Sequence, residues 1–118
     1  MAAIMKTKLI GTLAVVLALG ATSALAATAE ENWAHYCTKC HGADGKAQTK
    51  PGAKFKIKDF TNPATLGDIT DGDLVMTIDD GVTEHNKEKM KPFKEKLSPK
   101  EIGDLLQYIR DMETVTVK

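Results

Sequence analysis

Two cysteines and a histidine stand close together in the first half of the chain, in the run Cys37-Thr38-Lys39-Cys40-His41. Positions i, i+3 and i+4 of a helix share one face, so both thiols and the imidazole would point the same way. This C-x-x-C-H spacing is the pattern for covalent haem attachment. The thiols would bond to the two vinyl groups, and the imidazole would bind the iron. We therefore predict one haem c, attached through Cys37 and Cys40, with His41 as the proximal ligand.

Three other interpretations of the cysteines compete with haem attachment. A disulfide between Cys37 and Cys40 would fit an exported protein. A thioredoxin-like redox pair needs a βαβ context, which the sequence does not provide. A structural zinc site needs a second ligand pair, and the chain has only two cysteines. The adjacent His41 favours haem attachment over all three.

A low-spin electron carrier needs a second axial ligand on the other side of the iron. A methionine thioether is a soft ligand that raises the reduction potential. Met90 lies among charged residues in a predicted loop, just before Pro92 and Phe93. Because that setting offers no core to fill, Met90 is the predicted distal ligand. We expect Met76 and Met112, which lie in predicted helices, to pack in the core instead.

The two histidines outside the motif are weaker candidates for iron ligation. His85 lies in the same predicted loop as Met90, so it is the main rival through bis-histidine ligation. Its simpler interpretation is a solvated loop residue. His35 comes two residues before the first cysteine, and we expect it to point into solvent.

The overall composition fits one small exported domain. The chain has 118 residues and no net formal charge, which argues against a general nucleic-acid binder. Residues 1–26 have the order of a secretory signal peptide, with early lysines, an apolar run and the cleavage motif Ala24-Leu25-Ala26. The apolar run is shorter than the roughly 20 residues that span a bilayer. We expect a periplasmic protein whose mature domain is residues 27–118, with no membrane span; the alternative is an uncleaved N-terminal anchor.

The mature part shows three helical patterns. Thr28 and Glu31 have capping-box spacing, so a helix is predicted from there to Gly42. A second helix is predicted over 71–80. A third, amphipathic helix begins at Ser98, where a proline and a glutamate follow with the spacing of a helix start.

The segments between these helices show breaker residues and weak periodicity. Residues 42–65 and 82–97 are predicted to be mostly loop, and no segment alternates as a strand would. Long connections in so small a domain indicate that they wrap something. The predicted fold class is all-α, with three to four helices and long loops around one covalent haem.

The chain resembles a class I c-type cytochrome over essentially its whole mature part. The resemblance rests on Trp33 four residues before the first cysteine, the C-x-x-C-H-G run, the middle segment 73–81 and the late Met90-Lys91-Pro92-Phe93 run. It implies the cytochrome c fold, with His41 and Met90 as the axial ligands of the iron.

The resemblance also implies a proline near the proximal ligand. In this family a proline carbonyl accepts a hydrogen bond from the proximal imidazole, which orients the ring and tunes the iron. Pro51 is the residue predicted for that role, with Pro63 as the alternative. Trp33 and Tyr108 are expected to pack where the first and last helices cross.

The function that the resemblance implies is electron transfer in the bacterial periplasm, by a monomer that is not an enzyme. A periplasmic dehydrogenase or a quinol-oxidising complex would be the electron donor, and an oxidase or reductase the acceptor. The main alternative is a gas-binding or peroxidase-like haem protein with a labile sixth ligand. A structural module held by zinc or a disulfide is a further alternative.

Charged residues are segregated along the chain. Residues 39–59 and 87–100 each contain six lysines and two acids, whereas 68–84 contain six acids and no lysine or arginine. The lysines are expected to form a collar around the exposed haem edge that steers the protein onto acidic partners. The alternative is an ordinary solvated face.

Overall fold

The computed structural model describes residues 11, 14–15 and 25–113 of the chain. The predicted signal peptide, residues 1–26, lies outside the described residues except at positions 11, 14–15 and 25–26. Within the described ranges, no helix is both long enough and apolar enough to cross a membrane.

The cysteine motif lies on a first helix that contains a wider turn. Three successive parts form it: α1 (Ala29–Asn32), a π-helical turn (Trp33–Cys37) and α2 (Thr38–His41). Thr28 and Glu31 form the predicted capping box at its start, and Gly42, with φ of +80°, ends it. The π-helical turn arises because the Thr38 amide donates to the Trp33 carbonyl, five residues back. The helix predicted from Thr28 to Gly42 is confirmed. The extra residue in its π-helical turn is not indicated by the pattern of apolar residues in the sequence.

Two short helices lie in the segment that was predicted to be loop. Their bounds are Lys50–Phe55 for α3 and Pro63–Leu66 for α4. The Thr49 hydroxyl accepts a hydrogen bond from the Gly52 amide at 2.9 Å and caps α3, and the Asn62 side chain caps α4. Pro51 and Pro63 lie in the first turns of these helices, where the missing N–H costs nothing. The prolines therefore begin helices here instead of marking plain turns.

The two longer predicted helices are confirmed with the expected bounds: α5 (Asp71–Asp80) and α6 (Pro99–Met112). Ser98 caps α6 in a capping box with Glu101. The first helix crosses α6, and the rings of Trp33 and Tyr108 are 5.7 Å apart at that crossing. This confirms the predicted contact between the first and last helices.

A β-hairpin follows α5, where the sequence predicted a loop and no strand. Its strands, β1 (Val82–Glu84) and β2 (Lys87–Met90), are antiparallel. His85 and Asn86 both have positive φ, 51° and 61°, which is the geometry of a tight two-residue hairpin turn. The strands were missed because charged side chains fill most of their positions. The fold is therefore mainly α, with one small two-stranded sheet.

The core lies between the first helix, α5 and α6. Its buried members form one cluster: Trp33, Leu66, Leu74, Ile78, Phe93, Leu97, Ile102, Leu105, Ile109 and Met112. Met112 is buried as predicted, but Met76 is 58% exposed, so its predicted core position is wrong. Leu74 and Ile78 are four residues apart and share the inner face of α5, whereas Met76 is two residues from each and points outward.

Candidate functional site

A cleft between the first helix, α3 and the hairpin brings the candidate iron ligands together. One chamber of about 170 Å³ is lined by Cys40, His41 and Met90, together with Phe55, Ile57, Val82, Glu84 and Lys89. An adjoining chamber of about 340 Å³ shares Cys40 and Met90 and extends to Pro51. The predicted proximal and distal ligands thus lie on the same cleft, although they come from distant parts of the chain.

His41 is held at the cleft by aromatic side chains. Its ring stacks on Phe60 with centroids 4.9 Å apart, and the Trp33 ring lies 5.6 Å away. The Trp33 indole N–H donates to the Gly42 carbonyl at 3.1 Å, which fixes the end of the first helix beside the ligand. Burial lowers the pKa of the His41 imidazole, so the ring is neutral at pH 7. Neutral imidazole is the form that binds a metal.

The hydrogen bond expected between His41 and Pro51 is not present. The His41 Nδ1 atom is buried, and no described residue makes a hydrogen bond to it. Pro51 lines the second chamber from the first turn of α3, whereas Pro63 lines neither chamber. The imidazole ring instead stacks on Phe60. The structure therefore places Pro51 at the cleft but does not give it the expected contact.

The two cysteine thiols are not joined in a disulfide. Cys40 lines both chambers, and Cys37, one turn earlier, is partly buried against the core. Burial, and then the neighbouring Cys40, raise the pKa of the Cys37 thiol to about 11. This thiol is therefore protonated at pH 7 and is a poor nucleophile for disulfide exchange. Among the described residues, no group of three or more His, Cys, Asp or Glu is arranged to hold a metal ion.

The rival ligands lie away from the cleft. His85 is exposed at the tip of the hairpin and lines neither chamber. His35 is exposed as expected, and its ring contacts Tyr36 edge-on. Met90, at the end of β2, is the methionine that lines both chambers, and it is partly buried.

Two charged residues at the cleft were not predicted as site residues. Glu84 and Lys89 line the smaller chamber and form an ion pair across the hairpin. The sequence shows them only as parts of a charged segment. The one usable signal was the His85-Asn86 pair, because Asn adopts the left-handed turn conformation readily and so indicates a hairpin.

The residues of the cleft fit a covalently attached haem. The first helix contributes Cys40 and His41, the hairpin contributes Met90, and Phe55 and Ile57 supply apolar surface. The two chambers together fall within the roughly 300–1,000 Å³ range of small-molecule and cofactor sites. The His41 Nδ1 atom is buried and has no hydrogen-bond partner among the described residues. The imidazole ring is neutral, which is the form that binds iron. A larger groove of about 540 Å³ lies beside Tyr108, but none of the candidate ligands lines it.

Comparisons with known proteins identify the family of the chain. The family model described as cytochrome C oxidase, cbb3-type, subunit III matches residues 24–109. The chain belongs to this family. It is a small class I c-type cytochrome, so it binds haem c covalently and takes part in electron transfer with redox partner proteins. Among curated proteins, none matches the chain significantly.

Solved structures of c-type cytochromes share the fold. The KustC0563 c-type cytochrome is 28% identical, with a TM-score of 0.66 over 74% of this chain and 99% of that chain. A tyrosine-to-phenylalanine variant of Kustc0563 is also 28% identical, with a TM-score of 0.64 over 73% of this chain and 99% of the variant. Each match covers nearly all of the solved chain and about three quarters of this one.

Proposed function

We propose that this cytochrome is a periplasmic shuttle for single electrons, with His41 and Met90 as the two axial ligands of one haem attached through Cys37 and Cys40. The observation that carries the proposal is the shared cleft, which is lined by Cys40, His41 and Met90. The haem, when bound, supplies an iron that accepts and returns one electron.

The chain's own residues make that exchange easy by holding the ligands in place. The neutral His41 ring is packed against both Phe60 and Trp33, so it has little freedom to move. Met90 is held by the paired strands of the hairpin. Because both ligands are fixed by packing, little rearrangement accompanies a change of charge at the iron. Apolar side chains such as Phe55 and Ile57 reduce the contact of the cleft with water, which favours the reduced form.

The predicted signal peptide and the family together suggest a cellular role. We propose that residues 1–26 are removed as a signal peptide and that residues 27–118 form the mature mono-haem domain. The donor would be a periplasmic dehydrogenase or a quinol-oxidising complex, and the acceptor an oxidase or reductase. In this role the protein is a monomeric carrier and not an enzyme.

Lysines at the cleft support docking onto acidic partners. Lys39, Lys89 and Lys91 line the larger chamber, with Glu88 as the one acid among its lining residues. Positive charge around the entrance to a redox centre steers negatively charged partners to it and raises the association rate. We expect these three lysines at the cleft to be the part of the predicted collar that steers partner proteins.

An absorption spectrum tests the ligand assignment. The protein would be exported in a host that has haem-attachment machinery, purified, and measured into the near infrared. We expect sharp low-spin bands on reduction and the weak methionine-to-ferric-iron band in the oxidised protein. The Met90→Ala variant should lose that band. Met76→Ala is the matched control, because Met76 is exposed and should leave the band unchanged.

The other outcomes point to different functions. A high-spin spectrum in the unaltered protein, with tight binding of carbon monoxide after reduction, would favour the gas-binding or peroxidase-like alternative. A low-spin spectrum that lacks the near-infrared band, and that changes in His85→Ala, would indicate that His85 is the distal ligand instead of Met90. A colourless protein would contradict haem attachment and leave the two cysteines to a disulfide.

A further inference from the structure

A β-bulge lies directly before the proposed distal ligand. Val82 pairs with Met90 and Thr83 pairs with Glu88, so Lys89 is an extra residue on β2. Successive side chains of a regular strand point to opposite faces, which would send Lys89 and Met90 to opposite sides. A bulge changes the direction of the side chains beside it. Here both residues line the cleft, and so the bulge brings a positive charge to the site along with the thioether.

The Lys89 ammonium is held at the cleft by an acid from the other strand. Lys89 forms an ion pair with Glu84, and the two side chains are 28% and 53% exposed. Glu84 lines the same chamber as His41 and Met90. A lysine ammonium has three N–H donors, and the contact with Glu84 uses one of them. The remaining donors are available to a second acidic group in the cleft.

The chemistry of haem supplies such a group. Its two propionate carboxylates lie on the edge of the porphyrin away from the vinyl groups, which the cysteines would hold. Cys37 lines neither chamber, and the chamber with Glu84 and Lys89 extends from Cys40 and His41 on the first helix to Ile57 and Val82 on other parts of the fold. A carboxylate that entered this chamber would meet Glu84 as a like charge, so it needs a cation beside it.

We propose that Lys89 binds a haem propionate and that Glu84 holds its ammonium in position for that contact. This inference rests on the proposed function, because it needs haem in the cleft. Lys89 is then a positioning and charge-compensating residue of the haem site, and the bulge is the backbone feature that makes it one. A positive charge beside the haem stabilises the reduced form, which carries one more electron. Lys89 therefore raises the reduction potential.

Charge-neutral variants of the holo-protein test the proposal. Lys89→Gln should lower the equilibrium constant for reduction about threefold, which is about 28 mV when about 59 mV corresponds to tenfold for one electron. Lys87→Gln is the matched control, since Lys87 lies on the same strand, is exposed and lines neither chamber. Its shift should be less than half as large. Glu84→Gln should shift the potential in the opposite direction from Lys89→Gln or leave it unchanged.

A vibrational measurement separates a direct contact from a general charge effect. The propionate bending band in the resonance Raman spectrum should move in Lys89→Gln, stay in place in Lys87→Gln, and return toward its original position in Lys89→Arg. Equal potential shifts in Lys89→Gln and Lys87→Gln, or a band that does not move in Lys89→Gln, would overturn the propionate contact. The visible haem bands and the near-infrared band test the axial ligation by His41 and Met90 separately from the propionate contact. These bands should persist in every variant if the proposed ligation is right, whether or not Lys89 contacts a propionate. A protein without haem would overturn both.

Discussion

Gly81 packs directly against the peptide that follows Met90. A Cβ atom at position 81 would lie 2.3 Å from the Met90 carbonyl oxygen and 2.8 Å from the Lys91 carbonyl carbon. Gly81 also has a φ of +69°, in the region where side chains cause strain. Just beyond, the Phe93 amide donates to the Ile78 carbonyl at 3.0 Å. The end of α5 thus fixes the backbone that carries the candidate distal ligand, and it can do so only with a glycine at this position.

A side chain at position 81 should therefore disturb Met90. In Gly81→Ala the Met90–Lys91 peptide must move, and the positive φ adds strain. We expect a loss of about 1–3 kcal/mol in the free energy of unfolding and a weaker near-infrared methionine band in the oxidised holo-protein. Denaturant unfolding and the near-infrared spectrum measure the two effects.

Gly103→Ala is the control for this prediction. Gly103 lies inside α6, and a Cβ there would meet nothing within 4 Å. Alanine in a helix interior is favoured over glycine by about 0.5–1 kcal/mol, so this variant should be more stable. Its methionine band should be unchanged. A full-strength band in Gly81→Ala would show that Met90 does not depend on this packing.

The helix boundaries could be predicted because their signals are local. Thr28 with Glu31, and Ser98 with Glu101, satisfy the first free amides of their helices with side chains three residues apart. No distant contact is needed to recognise them. The positions of Cys40 and His41 about one helical turn after Cys37 follow from spacing in the same way.

The hairpin and its register depend on contacts that spacing does not reveal. Strands rich in Lys and Glu have little propensity of their own, and β1 and β2 form where Gly81 and the Phe93 amide dock the segment onto α5. The bulge at Lys89 lies within the segment that is docked in this way. Met90 was predicted from its polar setting. That Lys89 and Met90 line the same chamber, together with Glu84 from the other strand, is known only from the three-dimensional arrangement.

A buried asparagine joins the first and last helices through an acid whose pKa is altered. The Asn32 amide donates to Glu101 at 2.8 Å, and Asn32 is only 4% exposed. This hydrogen bond, followed by that from the Ser98 amide, lowers the pKa of Glu101 below its usual 4.5. A lowered folded-state pKa stabilises the fold above the unfolded-state pKa, and the stabilisation is lost as the pH falls through the folded-state pKa.

Removing this contact should reduce the acid sensitivity of the fold. We expect the melting temperature of Glu101→Gln to depend less on pH than that of the unaltered protein, below roughly pH 4.5. Asn32→Ala should lower the melting temperature at neutral pH and reduce the same acid dependence. Asp104→Asn is the control, because the Lys100–Asp104 pair is exposed and contributes little. Thermal unfolding across the acidic range gives the result, and parallel pH curves for all variants would contradict it.

Arg110 of α6 binds the segment that leads into α5. Its guanidinium donates to the Leu66 carbonyl at 2.9 Å, to the Ile69 carbonyl at 2.6 Å and to the Asp71 carboxylate at 3.0 and 3.1 Å. The planar guanidinium reaches all three acceptors at once, which a lysine ammonium cannot do with the same geometry.

Replacing Arg110 should therefore destabilise the domain even when the charge is kept. We expect Arg110→Lys to lose about 1–2 kcal/mol of unfolding free energy, since hydrogen bonds from a charged donor are the stronger kind. The control is Lys94→Ala, which breaks an exposed pair with Asp80 and should cost less than about 0.5 kcal/mol. Denaturant midpoints compare the two, and equal losses would mean that the carbonyl contacts of Arg110 add nothing.

The lysines at the cleft predict a salt-dependent rate of electron exchange. Raising the ionic strength from roughly 0.01 M to roughly 0.15 M shortens the screening length from about 30 Å to about 8 Å. The second-order rate with an acidic redox partner should fall at least about tenfold over that range if steering operates.

Lys91→Glu should slow the reaction at low salt, because Lys91 lines the cleft. Lys58→Glu should slow it less, because Lys58 is exposed and lines neither chamber. Stopped-flow kinetics measures these rates. Rates that do not change with salt, or equal slowing by the two variants, would mean that these lysines form only a solvated face and that partners find the haem edge without electrostatic guidance.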